Sequence, residues 1–150
     1  MAGEPAAERH REGMHMGSSH DEIAGVVDRF FEALSDGDLG TCGGLMSDDA
    51  LVWHNYDQAE QPKADALGAL GFLTMLKPEF RITRRDFLDD GCVQQHVAVI
   101  AFPDGTTIEV PAIQRISVNG GRITRVEEYM DSAAMGAVMG KAQSLAPDQG

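Results

Sequence analysis

Imidazole, amide and carboxylate side chains recur at positions where a folding core asks for none of them. Trp53-His54-Asn55, Gln94-Gln95-His96 and Glu127-Glu128-Tyr129-Met130-Asp131 each interrupt an apolar, strand-like stretch. Burying such groups costs free energy unless each finds a partner, so clusters on separate strands describe the polar floor of an apolar small-molecule pocket. A histidine titrates at about pH 6.5, and a carboxylate bonded to it fixes its tautomer and stabilises the imidazolium. His54, His96 and Asp131 are therefore the candidate acid–base residues. Trp53, Asn55, Gln94, Gln114 and Tyr129 are candidates for lining the pocket and for holding a substrate carbonyl or hydroxyl. Such a set supports proton abstraction next to a carbonyl, as in cyclisation, isomerisation or dehydration. That chemistry needs no metal and no organic cofactor.

Helices and strands must bring these residues together. Ser19 followed three residues later by Glu22 is a capping box, and Ile23, Val26, Val27, Phe30, Phe31 and Leu34 follow at helical spacing. Asp36-Gly37 closes that helix and Asp38 can cap a shorter one. Residues 50–56 read as a strand, and a third helix over 63–76 is stopped by Pro78. From there to Asp131 the pattern is antiparallel sheet: 80–88, 92–102, a Pro103-Asp104-Gly105 turn, 106–118, an Asn119-Gly120-Gly121 turn and 122–130. A short terminal helix over 132–140 completes an α+β domain, three N-terminal helices covering one face of a curved antiparallel sheet. Residues 19–140 form that domain, and residues 1–18 and 141–150 read as disordered tails.

Alternation along the strands predicts which side chains share a face. If Phe102 pairs with Thr106, then Gln94, His96, Ala98, Ile100, Ile108, Val110, Ala112, Gln114 and Ile116 lie together on an apolar face. The opposite face carries Gln95, Glu109 and Arg115, suited to solvent or to a second subunit. A two-residue Asn119-Gly120 loop brings Tyr129 and Asp131 to the His96 face, whereas a three-residue loop brings Glu128 and Met130 there. The Asn-Gly pair favours the first arrangement. Periodicity does not choose between His54 and Asn55.

Composition excludes several functions. With 150 residues and 43% hydrophobic content the chain supports one core. A net charge of -12 with scattered Lys and Arg argues against nucleic acid, and no apolar run approaches the roughly 20 residues that span a bilayer. Two cysteines without CxxC spacing and the absence of a secretion signal point to reduced thiols in a cytoplasmic protein. Neither His54 with Asp57 nor His96 with Glu109 has metal-ligand spacing.

Taken in order, the helices, the Trp53-His54-Asn55 strand, the Gln94-Gln95-His96 strand and the Ile123-to-Asp131 strand resemble the SnoaL-like branch of the nuclear transport factor 2 superfamily. The resemblance covers roughly residues 20–139 and implies a cone-shaped α+β fold with a deep pocket between sheet and helices. It includes polyketide cyclases, steroid isomerases and limonene epoxide hydrolases. His54 or Asn55 falls near the place of the isomerase base, and Gln94-Gln95-His96 is similar to a pocket-lining Gln-x-His pair of the cyclases. Asp131 looks like the hydrolase aspartate at the end of the last strand. The Arg and Asp that epoxide hydrolysis needs two residues apart on the His96 strand are absent, as is the isomerase Tyr on the first helix. The resemblance implies a cofactor-independent cyclase, isomerase or lyase acting on an apolar oxygenated ring compound. The alternatives are a non-catalytic ligand-binding or dimerisation module of the same fold and, further off, an epoxide hydrolase. A homodimer through the outer sheet face is the expected assembly.

Overall fold

Ser19 opens the first helix as the capping box predicts, its hydroxyl accepting from the Glu22 amide at 3.1 Å. The computed structural model describes residues 18–145, so the tail readings for residues 1–17 and 146–150 lie outside the described residues. Helix α1 is His20–Asp36, and Gly37 ends it at φ 75°, where its N–H reaches the Ala33 and Leu34 carbonyls. Asp38 caps the short helix α2, Leu39–Gly44, through the Thr41 amide. Strand β1 is Met46–His54, followed by a three-residue strand β2, Glu60–Pro62, which sequence periodicity does not reveal. Helix α3 is Lys63–Met75. Four longer strands follow: β3 Glu79–Leu88, β4 Gly91–Ala101, β5 Thr107–Asn119 and β6 Arg122–Met130. Helix α4, Ser132–Leu145, runs past Gly140, where composition alone suggested that it stops.

The strands form one sheet in the order β2-β1-β6-β5-β4-β3. The segment from β3 to β6 is an antiparallel meander, but β1 joins β6 in parallel, so the sheet is mixed. Parallel neighbours need a long crossover, and here β2, α3 and strands β3 to β5 separate β1 from β6 in sequence. The Phe102 amide bonds to the Thr106 carbonyl at 2.8 Å, and the even-numbered residues of β4 and β5 share a face as the Pro103-Asp104-Gly105 turn predicts.

The second hairpin departs from both sequence alternatives. Its two-residue turn is Gly120-Gly121, at φ 60° and 77°, flanked by paired Asn119 and Arg122. Val118 pairs with Ile123 but Ser117 pairs with Arg125, which leaves Thr124 as a bulge in β6. One extra residue inverts the facing of everything beyond it. Glu128 and Met130 therefore share the face of Gln114 and Ala112, while Tyr129 pairs with Ile113 on the other side.

Two apolar clusters hold the helices on the sheet. Ile23, Val27, Phe30 and Phe31 of α1 pack with Met46, Ile116 and Val126, and Val138 of α4 packs with Ala98, Ile100, Phe102 and Val110. Fully burying each such side chain stabilises the fold by about 1.5–3 kcal/mol. Lys141 near the end of α4 pairs with Asp104 in the β4–β5 turn and, with Thr106, holds that carboxyl down to about pH 2. Cys42 and Cys92 are buried and unbridged, and burial pushes the Cys42 thiol up to about 11. Among the described residues, no helix is long and apolar enough to cross a membrane.

Candidate functional site

Between the helices and the concave face of the sheet lies a cavity of about 480 Å³, within the range of small-molecule sites. Its walls are mostly apolar, with Phe30, Phe31 and Leu34 from α1, Leu70, Phe72 and Leu73 from α3, and Met135, Val138 and Met139 from α4. Polar groups enter along one line. Pairing runs Arg85↔Gln94↔Gln114↔Glu128↔His54 across β3, β4, β5, β6 and β1. The neighbouring row on one side, Phe87↔Cys92↔Ile116↔Val126↔Val52, is apolar throughout. On the other side His96 pairs with Ala112 and Ala112 with Met130. The sheet therefore lays one polar rung, with His96 beside it, across an otherwise greasy floor.

Contacts divide this rung into two groups. At the β1 end, Glu128 takes His54 Nε2 on one oxygen at 3.2 Å and the Gln114 amide on the other at 2.6 Å. The His54 and Glu128 side chains are only 14% and 13% exposed, and all three residues line the cavity. A carboxylate accepts only, so the proton between this pair sits on His54 Nε2. His54 Nδ1 is buried without a partner, and the ring stacks on Tyr56 at 5.0 Å. Burial, with Asp57 and Glu128 nearby, raises the Tyr56 phenol.

The β4 end is a hydrogen-bonded chain. Arg85 donates to Asp28 of α1 at 2.8 Å and twice to Gln94 Oε1, at 3.0 Å and 2.6 Å, and Gln94 Nε2 lies 3.0 Å from His96 Nδ1. Gln94 is fully buried and His96 nearly so. His96 is packed edge-on by Phe31 and Phe80, with centroids at 5.2 Å and 5.4 Å. Burial holds the His96 imidazole below its ordinary pKa, opposed by the negative charge of Glu128.

The sequence-derived candidates separate accordingly. His54, His96 and Gln114 line the cavity, and Gln94 supports His96 from beneath. Asn55 clamps the end of β1 to β6, donating to the Met130 carbonyl at 3.2 Å and accepting from its amide at 3.1 Å. Asp131 lies outside the cavity and caps α4 through the Ala134 amide at 3.0 Å. Trp53 and Tyr129 pack against each other at 5.1 Å on the outer face of the sheet, where Tyr129 is 57% exposed. Sequence reasoning placed Glu128 second to Asp131 as the cavity carboxylate because the Thr124 bulge that turns it inward has no residue signature. It missed Tyr56 and Arg85 because each acts through a partner that only the fold supplies. Among the described residues, no group of three His, Cys, Asp or Glu could hold a metal ion.

Helices packed on one curved, mixed sheet are the architecture that comparison with other proteins also returns. The chain belongs to the SnoaL-like domain family, whose model matches residues 27–126. No curated protein matches it in sequence. Among solved structures, IdmH, a candidate polyketide cyclase from Streptomyces antibioticus, is 19% identical with a TM-score of 0.67, over 79% of this chain and 98% of that one. SalBIII, an epoxide hydrolase/cyclase-like enzyme of pyran ring formation in the polyether salinomycin, is 11% identical with a TM-score of 0.68, over 77% and 95%. An LEH-like epoxide hydrolase of M. tuberculosis is 17% identical with a TM-score of 0.65, over 83% and 93%. At these identities the likeness establishes the α+β cone fold and leaves the reaction to the residues of the site.

Proposed function

We propose that the protein is a cofactor-independent acid–base enzyme acting on an uncharged, apolar ring compound that carries a carbonyl, by cyclisation, isomerisation or dehydration. The observation that carries this reading is the Glu128 carboxylate on the floor of an apolar cavity, held by His54 at 3.2 Å and Gln114 at 2.6 Å. Glu128 takes the proton from the carbon next to the carbonyl, the electron pair of the C–H bond moves onto the carbonyl oxygen, and His54 stabilises whichever charge the pair carries. Among the described residues no Lys or Arg lines the cavity, so an anionic substrate would meet Glu128 with no compensating cation from them. Asp131 has no part in this reading because it caps a helix instead.

Epoxide hydrolysis is not supported. Gln94, His96 and Ala98 occupy the inward positions of β4, and Arg85 is engaged by Asp28 and Gln94 rather than lining the cavity.

The test begins with uncharged ring ketones of different sizes, tetralones, decalones and steroid ketones, ranked by thermal stabilisation of the protein. Those that bind are incubated in heavy water, and exchange at the α-carbon is followed by NMR. The wild-type protein exchanges bound ketones, and Glu128→Gln lowers the rate by about 100- to 10,000-fold, the usual worth of a positioned general base, while still binding them. Binding without exchange would make the protein a ligand-binding module, and undiminished exchange in Glu128→Gln would remove Glu128 from the chemistry.

A further inference from the structure

The chain from Asp28 to His96 determines more than orientation. We infer that His96 is a fixed N–H donor rather than a base, its proton held on Nε2 and aimed at the substrate carbonyl oxygen, with Gln94 and Arg85 as the residues that position that proton. This rests on the acid–base reading above and assigns the second half of the site.

Arg85 is the one group of the chain whose hydrogen-bonding role is unambiguous. A guanidinium has five N–H donors and no acceptor, so the Gln94 atom that meets Arg85 at 3.0 Å and 2.6 Å is the amide oxygen. Its NH2 group is then the atom 3.0 Å from His96 Nδ1, and it can only donate. Nδ1 must therefore offer its lone pair, which leaves the ring proton on Nε2. A second proton on Nδ1 would face the Gln94 NH2, donor against donor. Phe31 and Phe80 flank the ring and add burial that disfavours a charge. The chain cannot simply reverse, because Arg85 is tied on its far side to Asp28 at 2.8 Å.

Nε2 has room to act. The buried polar atoms left without a partner among the described residues are Ser47 Oγ, His54 Nδ1 and Gln61 Oε1, so His96 Nε2 is not enclosed by protein, and His96 lines the cavity. A neutral imidazole N–H in an apolar wall stabilises an enolate oxygen without surrendering its proton. The roles of the two histidines therefore differ: His54 works with Glu128 where the proton lands, and His96 holds the oxygen where the electron pair lands. Arg85 and Asp28 do not touch the substrate, and their effect reaches it only through the tautomer.

Gln94→Glu is the decisive variant. It keeps the shape and retains an acceptor for Arg85, but presents His96 Nδ1 with an acceptor instead of a donor. Long-range nitrogen–proton spectra of the full chain, labelled at histidine, show Nδ1 unprotonated and Nε2 protonated in the wild type between pH 5.5 and 8. In Gln94→Glu the Nδ1 position becomes protonated, and exchange of bound 1-tetralone falls at least 10-fold with little change in its binding. Arg85→Lys, which keeps the charge but loses the bidentate grip, gives a mixture of tautomers and covers the case in which Gln94→Glu does not fold. A protonated Nδ1 in the wild type, or spectra unmoved in the folded variants, overturns the inference. So does a swapped tautomer with undiminished exchange. Because the spectra need no ligand, failure of the tautomer assignment is distinguishable from failure of the acid–base reading, which Glu128→Gln tests separately.

Discussion

At the scale of single residues the polar rung sets donors against acceptors, with His54 Nδ1 left without a partner. Glu128 accepts from His54 and Gln114, Gln94 accepts from Arg85 and donates to His96, and the surrounding Phe31, Phe80 and Ile116 exclude water. The cost of holding His96 neutral in an apolar setting is readable as pH dependence. Its folded pKa lies below the 6.5 of the free side chain, lowered by burial and partly restored by Glu128. Below pH 6.5 the unfolded chain therefore takes up a proton that the folded protein refuses, and stability is lost as the pH falls. Two further groups act on the ring: Gln94, which opposes a proton on Nδ1, and behind it the Arg85 guanidinium. Thermal melts from pH 7.5 to 5.0 are expected to fall more steeply for the wild type than for His96→Phe. Parallel slopes would contradict a depressed His96.

At the scale of elements, register decides which residues meet. The polar rung exists because β1, β3, β4, β5 and β6 are aligned so that Arg85, Gln94, Gln114, Glu128 and His54 fall opposite one another. One fixed point of that alignment is Gly91 at the start of β4, where an added Cβ would collide with the backbone carbonyl of Ile116 on β5. Backbone cannot step aside as a side chain can. Gly91→Ala is therefore expected to destabilise by about 1–3 kcal/mol in urea unfolding, as over-packing does in other cores. A neutral effect would mean that β4 and β5 are not so closely held there. The alternation of β4 and β5 was legible from sequence because a Pro-Asp-Gly turn joins two long strands, and the even-numbered set through Gln94, His96 and Gln114 followed from it. Beyond the Thr124 bulge the same counting points Tyr129 and Asp131 inward, when the inward residues are Glu128 and Met130.

At the scale of the whole molecule, two surfaces are open to solvent and carry apolar side chains, the cavity mouth and a strip on the convex face. The cavity is bordered by Phe72 and Met139 on helices and Tyr56 after β1, all partly exposed, and a ligand seated there stabilises the fold by mass action. At a free concentration 100 times its Kd the gain is about 2.7 kcal/mol, so a saturating ring ketone should raise the melting temperature of the wild type. A cavity plugged by Leu73→Trp should lose that response. Tyr129 and Ile113, 57% and 38% exposed, form an apolar strip with Trp53 on the convex face. We propose that two copies pair through this strip, which lies on the outer sheet face where the sequence places the subunit contact. Light scattering should give the mass of a dimer for the wild type and of a monomer for Tyr129→Lys with Ile113→Lys, and a monomeric wild type would end the proposal.

The sequence by itself determined the α+β class, the first and third helices, the four-strand meander and the presence of buried imidazole and amide groups, because those depend on periodicity, caps and turn residues a few positions apart. Tertiary structure alone decided the rest. The parallel union of β1 with β6 placed His54 beside Glu128, a bulge at Thr124 chose Glu128 over Asp131, and a salt bridge from α1 to β3 gave Arg85 its hold on Gln94. Each of these joins residues far apart in the chain through a register or an angle that no local pattern encodes. For that reason the residue types of the site could be read from the sequence, while their pairing could not.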